Sequence, residues 1–262
     1  MPSSVQKATA AGGSFANNRL ISTWSAGGMP GAGATPPSFT AGAGYTCGSA
    51  TAGAIPFVFP TGQQLYLVGW QTCGTSAQRQ SFFLYDRLWH CRDFSANTAS
   101  TQTITTPGVI PARDANGSAD GFLVDAFLEV YTAVGATSAD VTLSYTNSDG
   151  VGSRSAIASA LASGTSAVGS MIPFALQAGD VGIKAVSSIA LSAPTGSVGN
   201  IGVTLARRVA EVSVECTNDA IFFDVLRLGK PRIYPDSCLY LVGRVNSTSA
   251  GAIVHTLYFA RD

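Results

Sequence analysis

The chain has 262 residues, of which 46% are hydrophobic and only 11% charged, against about 25% charged residues in an ordinary soluble protein. Its 15 Lys and Arg residues balance 15 Asp and Glu residues, so the formal net charge is zero. This apolar content excludes a chain disordered along its length, and the missing basic excess argues against general nucleic-acid binding and against a polybasic membrane contact.

The N-terminus, MPSSVQKATAAGGSF, has no apolar core of the signal-peptide kind, so secretion is not expected. No run of 18 apolar residues occurs, so no membrane span is expected either. Residues 1–62 are dominated by Gly, Ala, Ser, Thr and Pro, and the runs GGMPGAGATPP and TAGAGYTCGSATAG carry no periodicity. They read as a loop-rich N-terminal arm with one strand at 19–24, leaving 63–262 as a β-sandwich core.

From Ile55 onward the dominant signal is alternation with period two, the mark of half-buried strands. Strands are predicted at 55–60, 63–70, 81–89, 101–106 and 122–132. In DVTLSYT, Val141, Leu143 and Tyr145 face one way while Thr142, Ser144 and Thr146 face the other, and Asn147-Ser148-Asp149-Gly150 follows as a tight turn. The Ala-rich segment 154–164 permits a helix, but its flanks fit a strand or loop better. Further strands are predicted at 170–176 and 182–191. Ile201, Val203 and Leu205 then share a face, as do Val212 and Val214 between Glu211, Ser213 and Glu215. One helix is predicted over 219–228, capped by Asn218 or Asp219, stopped by Gly229 and prevented from resuming by Pro231. Strands at 239–245 and near the C-terminus complete the series. In the last, Ile253, Leu257 and Phe259 line one face and Val254, Thr256 and Tyr258 the other. Many short strands with Gly-rich turns give an all-β, antiparallel, jelly-roll-like sandwich.

LYLVG occurs at Leu65–Gly69 and again at Leu239–Gly243, each followed by Leu-Tyr and an Arg, at Leu84–Arg87 and Leu257–Arg261. A duplicated hairpin, and hence two related β-modules, is one reading. Similar hairpins recruiting similar residues is the other, and the echo is short enough to favour it.

Residues able to carry chemistry are few. Cys47, Cys73, Cys91, Cys216 and Cys238 are odd in number and form no CxxC, so neither a disulfide framework nor a zinc site is expected. Cytoplasmic synthesis follows as the default. His90 and His255 are the only histidines, no G-x-S-x-G elbow exists, and Ser166 in GTSAVG misses the second glycine. The loop from Asp114 to Asp125 places Asp114, Asn116, Ser118, Asp120 and Asp125 at positions 1, 3, 5, 7 and 12 of a calcium-loop pattern. Ala119 stands where that pattern needs Gly, and Asp125 where it needs Glu, so a polar turn is the simpler reading. The Gly-rich runs are not phosphate loops. Arg207-Arg208 and Lys230-Pro231-Arg232 read as strand ends or intersubunit contacts, and Asp86 and Arg87 as residues able to pair with a neighbour. Asp224 and Asp236 form no acid/base pair. Trp24, Trp70 and Trp89 could stack on sugars. No catalytic, cofactor or metal residue is assigned.

Several segments together resemble a known family. These are WSAGGMPGAG (24–33), LYDRLWH (84–90), PARDANGS (111–118), SYTNSDG (144–150), MIPFALQAGDVGIKAVSSIALS (171–192) and GKPRIYPDS (229–237). In this order and spacing, from about residue 20 to the end, the chain resembles a family of tailed-bacteriophage structural proteins encoded among virion-module genes. The resemblance implies a virion component assembled in the bacterial cytoplasm and brings no catalytic motif. The expectation is a non-enzymatic head decoration or minor capsid protein, cementing the major capsid protein and self-associating, with a trimer as the guess. A tail, neck or baseplate component and a glycan-binding adhesin are the alternatives.

Overall fold

Side chains on successive strand residues point to opposite sides, so an alternating sequence buries one face and leaves the other to solvent. The computed structural model bears this out over the residues it describes, which are 2–7, 19–40, 44–74, 80–162, 166–214, 220–245 and 253–262. In chain order the strands are β1 (Pro2–Lys7), β2 (Leu20–Ser22), β3 (Gly28–Met29), β4 (Tyr45–Thr46), β5 (Leu65–Gly74), β6 (Gln80–Ser95), β7 (Gln102–Val109), β8 (Val124–Thr132) and β9 (Ala139–Asn147). They continue as β10 (Arg154–Leu161), β11 (Ser170–Pro173), β12 (Ile183–Leu191), β13 (Asn200–Val214) and β14 (Ala220–Phe223). The short helix α1 (Val225–Leu228) precedes β15 (Arg232–Ile233), β16 (Leu239–Val245) and β17 (Ile253–Arg261). The protein is all-β, and the ladders that define its sheets, such as β1–β17, β9–β12, β8–β13 and β6–β16, are antiparallel. No helix among the described residues is long and apolar enough to cross a membrane.

The chain divides into two compact units, which do not follow a boundary at residue 62. The first takes 1–34, 48–86 and 208–262; the second takes 35–47 and 87–207. Composition alone separated the Gly-rich stretch from the strands, but its residues are shared between both units.

The first unit is a sandwich. One sheet runs β14-β5-β17-β1-β3, with β15 also on β5. Strands β2 and β6 pair on either side of β16 in the other. Val5, Leu67, Trp70 and Leu257 from the former meet Ile21, Phe82, Leu84 and Leu241 from the latter in one core. The LYLVG echo has a specific place here. The first copy, in β5, pairs with β17, which holds the second Leu-Tyr; the second copy, in β16, pairs with β6, which holds the first. Neither copy is a hairpin. In each, the chain leaves one sheet and enters the other, and the two copies exchange partners.

The second unit sets the sheet β10-β9-β12-β7 against β8, with β11 and residues 200–207 of β13 on its two edges. Val141, Leu143 and Tyr145 point inward as their alternation predicts, and meet Leu128, Val130, Ile201, Val203 and Leu205. Asn147 accepts from the amide of Gly150 to close the predicted turn.

Three local readings are corrected. Residues 220–223 pair with Trp70–Cys73 of β5 instead of winding into helix, because four successive apolar or small residues suit a sheet edge better than a one-sided helix. The helix is confined to 225–228 and is capped by Asp224, which accepts from the amide of Arg227; Asn218 and Asp219 lie outside the described residues. Gly229 ends it in the left-handed conformation, as predicted. Residues 55–60 make no strand, although Ile55 donates to the Leu239 carbonyl.

The Gly-rich stretch also has a packing reason. A Cβ on Gly33 would sit 2.2 Å from the Trp24 ring, and Cβ atoms on Gly44 and Gly108 would sit 2.3 and 2.2 Å from the Trp89 ring. Backbone without side chains lies directly on two buried indoles.

Candidate functional site

The charged residues that sequence reading left on the surface are partly inside. In the second unit Arg87 is fully buried. Its Nε donates to His90 Nδ1 at 2.7 Å, and its Nη2 donates to Glu129 Oε2 at 2.5 Å, to Thr204 Oγ1 at 2.9 Å and to Tyr131 Oη at 3.0 Å. The Thr204 and Tyr131 hydroxyls donate in turn to Glu129 Oε2, at 2.7 and 2.8 Å. Strands β6, β8 and β13 supply these side chains. Burial alone would raise the Glu129 pKa, but the Arg87 charge and the three hydrogen bonds outweigh it and hold the carboxyl below its ordinary range. Burial, reinforced by Arg87, keeps His90 neutral. The cluster holds no nucleophile. It is a buried charge pair in which Glu129 Oε2 collects the donors while Glu129 Oε1 accepts no hydrogen bond among the described residues.

Asp86, one residue earlier on β6, turns the other way. It accepts from Ser237 Oγ at 2.7 Å and from the Cys238 amide at 2.8 Å within the first unit. Asp86 and Arg87 are both fully buried, and each finds its partners within the chain.

His255 is buried in the first unit. Its Nδ1 accepts from Trp70 Nε1 at 3.1 Å, and its ring packs edge-on against Phe82 with centroids 4.6 Å apart. Burial drives its pKa from 6.5 to about 3, so it stays neutral. The buried Lys7 ammonium donates to the carbonyls of Ala26 and Gly31 at 3.0 and 2.9 Å, and burial lowers its pKa to about 8.

The 114–125 loop is organised by its own first residue. Asp114 Oδ1 accepts from the amides of Asn116 and Ser118, and Oδ2 from Ser118 Oγ and the amides of Gly121 and Phe122, all within 2.7–3.1 Å. Burial opposes ionisation, but these donors hold the carboxyl below its usual pKa. The carboxylate is thus committed to the chain's own N–H and O–H groups. Asp120 pairs with Lys184 at 3.1 Å, and Asp125 lies on β8. Among the described residues no three His, Cys, Asp or Glu side chains converge as a metal site.

The remaining candidates are structural. Ser166 is buried, with its hydroxyl near the Ala162 amide. Cys47, Cys91 and Cys238 are buried free thiols, Cys73 is half-buried, and Cys216 lies outside the described residues. Trp24, Trp70 and Trp89 are at most 1% exposed, so none offers a sugar platform. Arg208 pairs with Glu211. Lys230 and Arg232 sit over the rings of Tyr66 and Tyr234, 4.2 and 4.9 Å from the centroids, and Asp236 accepts from the amide and hydroxyl of Ser49.

Arg207, unlike Arg208, is buried rather than at a solvent-facing strand end, and the surface of the second unit carries further chemistry. On the outer side of the sheet β10-β9-β12-β7, strand register places Ile157, Thr142 and Ala190 in one row. Ser155, Ser144, Ser188 and Thr103 form the next, and Thr146, Ala185 and Val109 a third. These rows hold no ionisable side chain. In the first unit, exposed apolar residues gather at Phe222, Val225 and Leu226.

No family model matches the chain, and no curated protein matches it. Among solved structures it bears a weak likeness to particles of infectious bursal disease virus. The VP2 subviral particle of that virus is 9% identical, with a TM-score of 0.24 over 100% of this chain and 80% of the other. The T13 particle is 10% identical, with a TM-score of 0.25 over 100% and 78%. Scores this low fix no residue correspondence.

Proposed function

We propose that this chain is a non-enzymatic structural protein of a virion, and specifically a head decoration or minor capsid protein of a tailed bacteriophage. It would be made in the bacterial cytoplasm and would stabilise the shell through contacts with the major capsid protein and with copies of itself, a trimer being the expected order. The observation that carries this reading is the outer side of the β10-β9-β12-β7 sheet, where three successive rows beyond the exposed Asp140 hold Ser, Thr and Ala with Ile157 and Val109 and no ionisable side chain. Fixing Lys, Arg or Glu side chains at an interface costs up to about 2 kcal/mol each in rotamer entropy, whereas Ser, Thr and Ala lose little. A sheet face built from short side chains is therefore suited to permanent packing, and its hydroxyls both donate and accept towards any neutral partner. Many copies on one shell turn modest contacts into high avidity. The family resemblance of six ordered segments supports the same reading. Catalysis, a cofactor, nucleic acid and membrane have no part in it.

The role differs in one respect from the sequence expectation. Residues 19–34 and 48–62 belong to the first unit and 35–40 and 44–47 to the second, so the cementing contact is assigned to sheet faces rather than to a free arm. The test is cryo-electron microscopy of intact particles. Density repeating over the icosahedral shell is the expected result. Density confined to one vertex or to the tail would move the chain to a neck, tail or baseplate role, and absence from particles would remove the virion reading altogether.

A further inference from the structure

Helix α1 is one turn long, too short to persist on its own merits. It is nevertheless fixed at both ends. Asp224 caps its start, and the Gly229 amide donates to the Val225 carbonyl at its end. What this well-capped turn presents is apolar: Leu226 is 88% exposed, with Phe222 at 52% and Val225 at 37% beside it. A single exposed leucine is ordinary; here Val225 and Leu226 share the capped turn, and Phe222 ends the strand that leads into it, with its ring against Tyr258. The same unit also carries a recess of about 360 Å³ walled by Pro60, Leu65, Phe259, Ala260 and Arg261. A cavity of about 150 Å³ already holds benzene, so this one has room for a leucine side chain with a neighbour. Leu226 is too exposed to be filling a recess of its own chain.

We infer that Leu226 and the Pro60–Leu65–Phe259 recess are the two halves of one head-to-tail contact, in which the projection of one copy enters the recess of a second copy. Charge agrees with the pairing. The exposed Asp224 stands beside the projection and the exposed Arg261 on the rim of the recess, so docking brings a carboxylate to a guanidinium. Arg227, the cation nearest Leu226 in sequence, is held over the ring of its own Phe223, 5.9 Å from the centroid. Because projection and recess are different surfaces, the contact is heterologous, and such contacts close into rings when the rotation permits. The inference deepens the self-association proposed above and rests on it.

Sedimentation of the full chain tests it. Wild type is expected to form a discrete oligomer. Leu226→Glu, which spoils the projection, and Ala260→Trp, which fills the recess, are each expected to weaken assembly by at least about 30-fold, near the worth of one buried leucine, with unchanged circular dichroism. Mixing the two variants is expected to give a heterodimer and nothing larger, since one intact projection and one intact recess survive between them. Asp224→Asn keeps the helix cap, and it and Arg261→Gln are each expected to weaken assembly about threefold, without adding in the double variant. A wild-type chain that stays monomeric, association that survives both L226E and A260W, or a mixture that does not form heterodimers would each overturn the head-to-tail contact. Particles that incorporate L226E at normal copy number would also overturn it while leaving the virion role standing.

Discussion

Acid should weaken the first unit through one residue. The unfolded chain binds a proton at His255 near pH 6.5, whereas the folded chain, with this imidazole buried against Trp70 and Phe82, refuses it until about pH 3. Above pH 6.5 both states are neutral and the contribution is nil. As pH falls below 6.5 the unfolded state takes up the proton first, and stability is lost at about 1.4 kcal/mol per pH unit until the folded state also protonates. At pH 4.5, two units below the unfolded value, the loss reaches about 2.7 kcal/mol. Urea unfolding followed by tryptophan fluorescence at pH 7.5 and 4.5 measures it. In the His255→Gln variant the amide oxygen can still accept from Trp70 Nε1, and the term vanishes. Wild type is expected to lose about 2–3 kcal/mol more than H255Q over this interval. Carboxylates and His90 contribute equally to both proteins and cancel. Parallel losses in the two proteins would refute the assignment.

Glu129→Ala should destabilise by about 3–5 kcal/mol, because it strands the Arg87 charge in the core. Arg87→Met with Glu129→Leu should cost less than E129A alone in the same denaturation assay, and a larger loss would contradict the account. Asp114→Ala should cost about 2–3 kcal/mol by freeing five donors in the 114–122 turn, while added calcium should leave the wild-type melting temperature where it is. Gly44→Ala combines a left-handed backbone, φ 63°, with a Cβ pressed into Trp89. A loss of about 1–3 kcal/mol is expected in thermal melts.

Where alternation was regular the sequence was readable. Val141, Leu143 and Tyr145, and again Val212 and Val214, lie inward in the structure. Strand β1 escaped notice because its inward residues are Val5 and Lys7, and lysine does not read as core. Its stem is buried only because two carbonyls receive the ammonium, and those belong to the Gly-rich stretch that looked featureless. The Arg87 cluster was invisible for a related reason. Its partners Glu129 and Thr204 lie 42 and 117 residues away, so only the folded register brings them together. A signal did exist at Glu129, which sits between Leu128 and Val130 in a strand buried on both faces. A carboxylate in such a run requires a cation opposite it. The partner exchange of the two LYLVG copies could not be read at all, since equal sequences say nothing about which strand each will face.

That exchange sets an order of events during synthesis. The first unit needs β16 and β17, at the far end of the chain, to sit beside β5 and β6, whereas the second unit has all its residues by position 207. A chain emerging from the ribosome can complete the second unit while the first still lacks half its strands. Until residue 261 is out, β5 and β6 have open edges, the kind of surface through which nascent β-proteins pair wrongly. Residues 239–261 then close the first unit by covering β6 and β5, so this unit completes its sheets after the second.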